Sequence, residues 1–488
     1  MMKRAVLTTI LLAGTVALAS PAASAQERRL RAGAATSNIT PPLGELIVGN
    51  WTSPPATHVH DELHARCLVL DDGTTRIAIV LADNVGIPRR VLDEAKRLTH
   101  ARSGLAVDRV LIASTHTHSA TTARGADGTE RYTDTQPLDH YQTFLAGRIA
   151  DGIQRAINNL EPARIGWGSG SLPQQVFNRR WFMKPGPQLS NPFGGTDQVR
   201  MNPPVASPDL LKPAGPTDPE IGFLSVQSVT GRPIALLANY SLHYVGGVPE
   251  GHISADYFGV FANVLAAMVR AKPEAPEKEY VARPFVAMLS NGTSGDVNNI
   301  DVRGGQKRLP EYVRMELVAN QVAAEVFRAM QGIEYRDAVP LRMIQREVTL
   351  ETRRPDAKLV EWARGVLARP ENAPMSHPRE RTYAERTLRM VGMPPRIDVP
   401  LQALRIGDLA IVSIPFEAFV DIGLELKAES PFPDTFAVSI ANGSYGYLPT
   451  AAHHELGGYE TWLGSNQVEV QAAAKIVYTL RKLLADLK

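Results

Sequence analysis

Residues 109–119 read Arg-Val-Leu-Ile-Ala-Ser-Thr-His-Thr-His-Ser. A short apolar run rich in β-forming residues predicts a buried strand over Arg109–Thr115, and it ends on His116 and His118. The same grammar recurs along the chain. Ala235–Leu237 leads to His243, Phe285–Leu289 to the Gly295–Asp296–Val297 turn, Leu409–Ile414 to Glu417, and Phe436–Ile440 to Tyr447. In open α/β sheets the crevice that binds ligands forms at the carboxyl ends of strands, and the loops there carry function. Two imidazoles, a carboxylate and a phenol gathered at such ends would suit a zinc ion with nitrogen and oxygen donors.

Working outward, Leu63–Asp83 reads as a hairpin with its turn at Asp71–Asp72–Gly73. Apolar residues recur at helical spacing over Arg89–Arg102, with Gly104 as the stop, and again over Leu138–Leu160. Further helices are expected over Glu311–Met330, Leu359–Leu367, Tyr383–Met390 and Val468–Leu487, with a helix beginning at Glu417. Strands are expected over Met343–Leu350 and on either side of a turn at Gly407–Asp408. Strands alternating with helices predict an α/β fold, a mixed β-sheet core flanked by helices. Residues 184–219 are so rich in Pro, Gly, Asn and Ser that a loop is expected, covering the site as a flap. The charged, proline-containing stretch Lys272–Lys278 is expected to be a surface connection.

The N-terminus has the form of a secretory leader. Lys3 and Arg4 precede an apolar stretch from Ala5 to Leu18, and Ala23–Ser24–Ala25 is a small-residue cleavage site. The expected organisation is a signal peptide over 1–25 and one domain over 26–488, secreted or periplasmic and bacterial in origin. No segment has the roughly 20 apolar residues that a membrane span needs. A net charge of +2 gives no electrostatic case for nucleic acid. Cys67 is the single cysteine, so no intrachain disulfide can form; within its apolar run it reads as a small buried hydrophobe.

The candidate residues carry alternatives. An H-x-H pair at a strand end can turn both rings to one crevice. Metallo-β-lactamase-like enzymes and amidohydrolases also use H-x-H. The former add an aspartate where Ala120 stands here, and the latter place the pair near a first barrel strand. His116, His118 and His243 could equally be hydrogen-bonded structural histidines. Glu417 follows an apolar run and needs a partner, either a metal or a helix N-terminus. Tyr447 competes with Tyr445 as a phenol donor, with a pKa near 10 that only a close cation would offset. Asp83 and Asp256 are candidate carboxylates for orienting the histidines.

The order His116–Thr117–His118–Ser119, Leu242–His243, Asn291–Asn299 (NGTSGDVNN), Pro415–Phe416–Glu417 and Gly446–Tyr447 with Tyr459–Glu460 resembles the neutral/alkaline ceramidases, from about residue 31 to 475. The resemblance implies that His116, His243, Glu417 and Tyr447 bind Zn2+. It implies that His118 is an acid/base or oxyanion-orienting group beside them, with Tyr459 as a further donor. Arg179, in Asn178–Arg179–Arg180, matches an Asn-Arg pair that contacts substrate, while Arg180 also reads as a surface ion-pairing residue. The family carries a serine directly after Gly-Asp-Val, with catalytic importance assigned to it. Asn298 occupies that position, followed by Asn299 where the family has proline. Asparagine cannot be a nucleophile, but it can donate to an oxyanion and position substrate. The family usually carries a further C-terminal β-sandwich domain, for which this sequence leaves no room after the core.

The function so implied is zinc-dependent hydrolysis of an amide by activated water, since zinc lowers the pKa of bound water to about 7. The substrate would be a small-molecule or lipid-like amide or ester. A zinc esterase or lactonase acting on a small non-lipid substrate uses the same residues, and a non-catalytic binding protein would keep the pocket without the chemistry. Nothing in the sequence sets the oligomeric state.

Overall fold

The computed structural model describes residues 29–121, 123, 137–271 and 283–488. The leader 1–25 and the connection 272–278 lie outside the described residues. Strand β1 (Arg31–Asn38) pairs antiparallel with β2 (His64–Asp71), which turns back into β3 (Arg76–Ala82). In that turn the carboxylates of Asp71 and Asp72 accept the N–H groups of Gly73, Thr74 and Thr75, the local bonding that makes aspartate a turn residue. Helix α1 (Arg89–Ser103) stops at Gly104, whose φ of 71° lets its N–H reach the His100 carbonyl. The chain then enters β4 (Val110–Ser114), parallel to β3. Helix α2 (His140–Asn158) starts on a capping box made by Asp139 and Gln142.

Strands β5 (Glu161–Ser171), β6 (Glu220–Ser228) and β7 (Pro233–Tyr240) follow as an antiparallel run, and helix α3 (Asp256–Arg270) carries the chain to β8 (Val286–Asn291), parallel to β7. These strands form an eight-stranded sheet in the order β8-β7-β6-β5-β1-β2-β3-β4. After helix α4 (Val313–Met330), a second sheet is built from β9 (Leu341–Glu351), β10 (Arg396–Ile406), β11 (Leu409–Ile414) and β12 (Asp434–Ser439), in that order. Helices α5 (Ala357–Ala368) and α6 (Glu380–Val391) form a hairpin between β9 and β10; α7 (Val420–Ala428) joins β11 to β12, and α8 (Ala472–Leu487) ends the described chain.

The two sheets face each other across one apolar cluster. Leu111, Leu237 and Met288 from the first meet Leu404, Ile411 and Phe436 from the second. The outer faces are covered by α1 and α2, by α3 and α4, and by α7 and α8. Helices therefore flank a mixed β core, the architecture the alternating pattern implied. Cys67 is fully buried in it, and burial pushes its thiol up to about 12, leaving it inert.

Three parallel pairs place the site: β3–α1–β4, β7–α3–β8 and β11–α7–β12. In each unit the crossover helix brings both strands to finish at the same end. The segment after β12 crosses to β4, where Ala441 bridges Ala113 and the Asn442 N–H bonds the Ile112 carbonyl. The Asn442 side chain also accepts from Lys96 Nζ at 2.8 Å. The strand ends of the two sheets are thereby tied together.

Three local expectations change. Residues 184–219 are not all loop: Val199–Met201 and Leu210–Pro213 pair on either side of Arg180–Met183, and Leu189 packs with Trp181 and Met183. Strands of so few residues depend on their partner, which composition cannot reveal. Glu417 does not begin a helix; Glu417–Ala418 pairs in parallel with Tyr447–Leu448, and α7 begins at Val420. The final helix starts at Ala472, not Val468. Among the described residues no helix is long and apolar enough to cross a membrane.

Candidate metal centre

Beyond β4 the backbone turns sharply, and His116 adopts φ 75°, a left-handed conformation that costs a residue with a Cβ. Its N–H bonds the Asn84 carbonyl at 2.9 Å, and its Nδ1 lies 2.6 Å from the Val85 carbonyl. A carbonyl oxygen can only accept, so Nδ1 carries the proton and Nε2 presents a lone pair. His243 repeats the arrangement, with Nδ1 3.1 Å from the Ser294 carbonyl. Burial holds the His243 ring well below the ordinary histidine pKa, and the Arg179 charge adds to that, so it is a neutral imidazole.

The two Nε2 atoms lie 3.1 Å apart, and Nε2 of His118 is 3.1 Å from that of His116. Two lone pairs at that distance repel unless a cation or a proton stands between them. Glu417 closes the group: its Oε2 lies 3.4 Å from His116 Nε2 and 3.9 Å from His243 Nε2, sealed from water and without a hydrogen-bond partner. Unprotonated ring nitrogens around an orphaned carboxylate form a donor set suited to a zinc ion.

Tyr447 stands beside Glu417 in the short parallel pair, and its hydroxyl accepts from Arg179 Nη2 at 3.1 Å. Burial and the Glu417 charge raise its phenol well above the usual value. Tyr445, the competing phenol, packs into the core of the second sheet against Phe416. Arg179 is also fixed by the Gly295 carbonyl, 2.6 Å from Nη2. His118 stacks on Tyr244 at 3.7 Å, nearly parallel, and Tyr459 meets Tyr447 edge-on at 5.6 Å.

Other candidates are placed differently. The side chain of Asn298 donates to Asn202 at 2.9 Å and accepts from the Ile300 N–H, holding the turn after the Gly-Asp-Val segment; neither partner belongs to the histidine cluster. Asp83 does not orient a histidine ring: it is buried against Arg66, Nη1 to Oδ2 2.5 Å, and takes the His64 N–H. Asp256 likewise bonds no histidine; it accepts the N–H groups of Val245 and Gly246 and so shapes the loop that follows His243. The orienting acceptors are instead the Val85 and Ser294 carbonyls, which carry no side-chain signature. Arg180 is not on the surface: it is buried with Glu460, Nη1 to Oε2 2.8 Å. Gly49 and Tyr244, which confine His118, also escaped the sequence reading.

A family model described as neutral/alkaline non-lysosomal ceramidase, N-terminal, matches residues 31–306, which include His116, His118, Arg179, His243 and Asn298. The neutral ceramidase from Pseudomonas aeruginosa shares 18% identity and a TM-score of 0.70, over 94% of this chain and 74% of its own. A ceramidase complexed with C2 matches at 17% identity and a TM-score of 0.68, over 94% of this chain and 75% of its own. At those identities the structural likeness speaks for the fold. The matched segment, however, spans more than half of the 488 residues, and the chain belongs to the neutral/alkaline, non-lysosomal ceramidase family.

Proposed function

We propose that this protein is an exported zinc-dependent hydrolase that cleaves an N-acyl amide of the ceramide type. The observation that carries the reading is the tautomer pattern. Val85 and Ser294 fix the ring protons of His116 and His243 on Nδ1, leaving two Nε2 lone pairs 3.1 Å apart beside a solvent-sealed Glu417 oxygen. His116, His243 and Glu417 would hold the ion, and Tyr447 would complete the set; burial and Glu417 keep its phenol protonated without an ion, and the Arg179 charge at its hydroxyl opposes them. When bound, zinc supplies Lewis acidity and acidifies a water molecule.

The chain's own groups perform the rest. Arg179 and the Tyr459 hydroxyl lie on the Tyr447 side and would orient the scissile carbonyl. His118, held flat against Tyr244, would pass a proton to the departing amine, a task suited to imidazole near neutral pH. Asn298, in place of the family's serine, secures the turn that follows Gly295–Asp296, and no seryl intermediate is required of it. Metal analysis of protein purified without added zinc, combined with a hydrolysis screen of N-acyl amines and matched esters, tests the proposal. Zinc near one per chain and amide cleavage are expected; full activity in metal-free protein would overturn it.

A further inference from the structure

On the Tyr459 side of the metal centre, two arginines converge where, among the described residues, no carboxylate pairs with them. Helix α6 carries Tyr383 and Arg386 on one face, with Arg379 at its N-cap. The Arg379 guanidinium carbon lies 3.6 Å from the Trp51 ring centroid, and that of Arg386 lies 5.7 Å from it. Trp51 is 46% exposed, so this group opens to solvent. It meets Tyr459 edge-on at 5.5 Å, and Tyr459 in turn meets Tyr447. Two residues before Trp51, the backbone of Gly49 lies against the His118 ring. A continuous wall therefore runs from the histidines, past two phenols and an indole, to the two guanidinium groups.

Among the described residues, the neighbouring acids are already engaged. Glu380 pairs with Arg369 at 2.7 Å, Glu460 with Arg180 at 2.8 Å, and Asp197 accepts from Trp462 Nε1 and the Gly458 N–H. The Arg386 guanidinium donates to the neutral hydroxyls of Tyr383 and Ser465 at 3.2 and 3.1 Å. Among the described residues Tyr383, Tyr459 and Arg386 act on Arg379, and its pKa is lowered by burial and by the Arg386 charge. Two partly desolvated cations side by side repel, and an incoming anion would relieve both.

We propose that Trp51, Arg379 and Arg386 form an anion subsite along the wall that leads out from the metal centre, selecting an N-acyl amide that bears a carboxylate on its amine side, as an N-acyl amino acid does. The inference rests on the amide-hydrolase reading above. The Arg379 guanidinium lies over the exposed Trp51 ring and that of Arg386 is largely occupied by hydroxyls, which suits a singly charged planar group better than a dianionic phosphate.

The test compares kcat/KM for N-octanoylglycine, the neutral N-octanoylglycinamide and N-octanoyl-phosphoethanolamine in the zinc-loaded protein, in Arg379→Gln and in Arg379→Lys. The expected result is a preference of about tenfold or more for the carboxylate, as hydrogen bonding to a charged group supplies. That preference should collapse toward equality in Arg379→Gln and survive in part in Arg379→Lys. Isothermal titration of 4-oxoundecanoate, in which CH2 replaces the amide N–H, reads the subsite without catalysis, and Arg379→Gln should weaken it by a similar factor. If none of the amides is cleaved but this arginine-dependent binding persists, the hydrolase reading fails and the subsite stands. Equal rates on acid and carboxamide, a ratio unchanged in Arg379→Gln, or preference for the phosphate would overturn the proposal.

Discussion

Gly49→Ala should slow the enzyme through a residue that takes no part in chemistry. Gly49 has φ 119°, and a Cβ added there would lie 2.7 Å from Cγ of His118 and 2.9 Å from its Cβ and Nδ1. Carbon atoms in contact sit about 3.5–4.0 Å apart, so the ring or the loop must give way by about 1 Å. The ring has little room, because Tyr244 backs it at 3.7 Å and His116 Nε2 stands 3.1 Å from its Nε2. The backbone conformation adds strain of about 1–3 kcal/mol for any residue but glycine. Misplacing an acid/base group by about 1 Å costs on the order of 10²-fold in turnover. We therefore expect kcat to fall by that order while bound zinc is kept, since the Val85 and Ser294 carbonyls still hold the other two rings. The assay is single-turnover amide hydrolysis alongside metal analysis, repeated on a His118→Ala background. Because both changes act through one ring, the double variant should be no slower than His118→Ala alone. A Gly49→Ala rate within about threefold of the parent, or a full further loss in the double variant, would refute the assignment of His118.

The remaining predictions separate ligands from supports. His116→Ala should lose both zinc and activity, whereas His118→Ala should lose activity and retain zinc; loss of metal from the second would make His118 a ligand. Asn298→Ala should reduce turnover by no more than a lost oxyanion donor would, about 2.7–4 kcal/mol, and a trapped acyl-enzyme would disprove hydrolysis by direct water attack. Glu460→Ala leaves Arg180 buried with only carbonyl partners, at a cost of about 3–5 kcal/mol; a thermal melt unchanged from the parent contradicts this. Long-chain ceramide should be a poorer substrate than short N-acyl amines, and a ceramide kcat/KM more than about tenfold higher, roughly 1.4 kcal/mol of transition-state preference, would restore a plain ceramidase.

Much of the fold was legible because its signals are local. Asp71–Asp72–Gly73 makes its turn with its own side chains, Gly104 ends α1 by its own φ, and the apolar runs at β4, β7, β8, β11 and β12 need no distant partner to be recognised. What failed depended on residues far away. The sequence places Glu417 at the start of a helix that follows the apolar run. Its backbone N–H instead bonds the Gly446 carbonyl, and α7 waits until Val420, whose N–H is taken by Asp296 Oδ1 at 2.9 Å. Asp83 looked like a carboxylate for the site until Arg66, on the neighbouring strand, claimed it. Strand direction says which end a residue reaches; it does not say which neighbour will be waiting there.

The same distinction governs the centre itself. His116, His243, Glu417 and Tyr447 each follow a strand whose parallel partner brings them to the same end of the molecule, but it is the family's spacing that marks them as a set and prefers Tyr447 to Tyr445. Their chemistry could not be read in that way. A histidine in sequence is equally able to donate or accept through either nitrogen, and nothing local says which nitrogen will be left to face its neighbours. Here the Val85 and Ser294 carbonyls, each contributed by backbone, take the Nδ1 protons and leave the Nε2 lone pairs facing each other. That arrangement is made by main-chain atoms that any residue type would have supplied, so no side-chain pattern announces it.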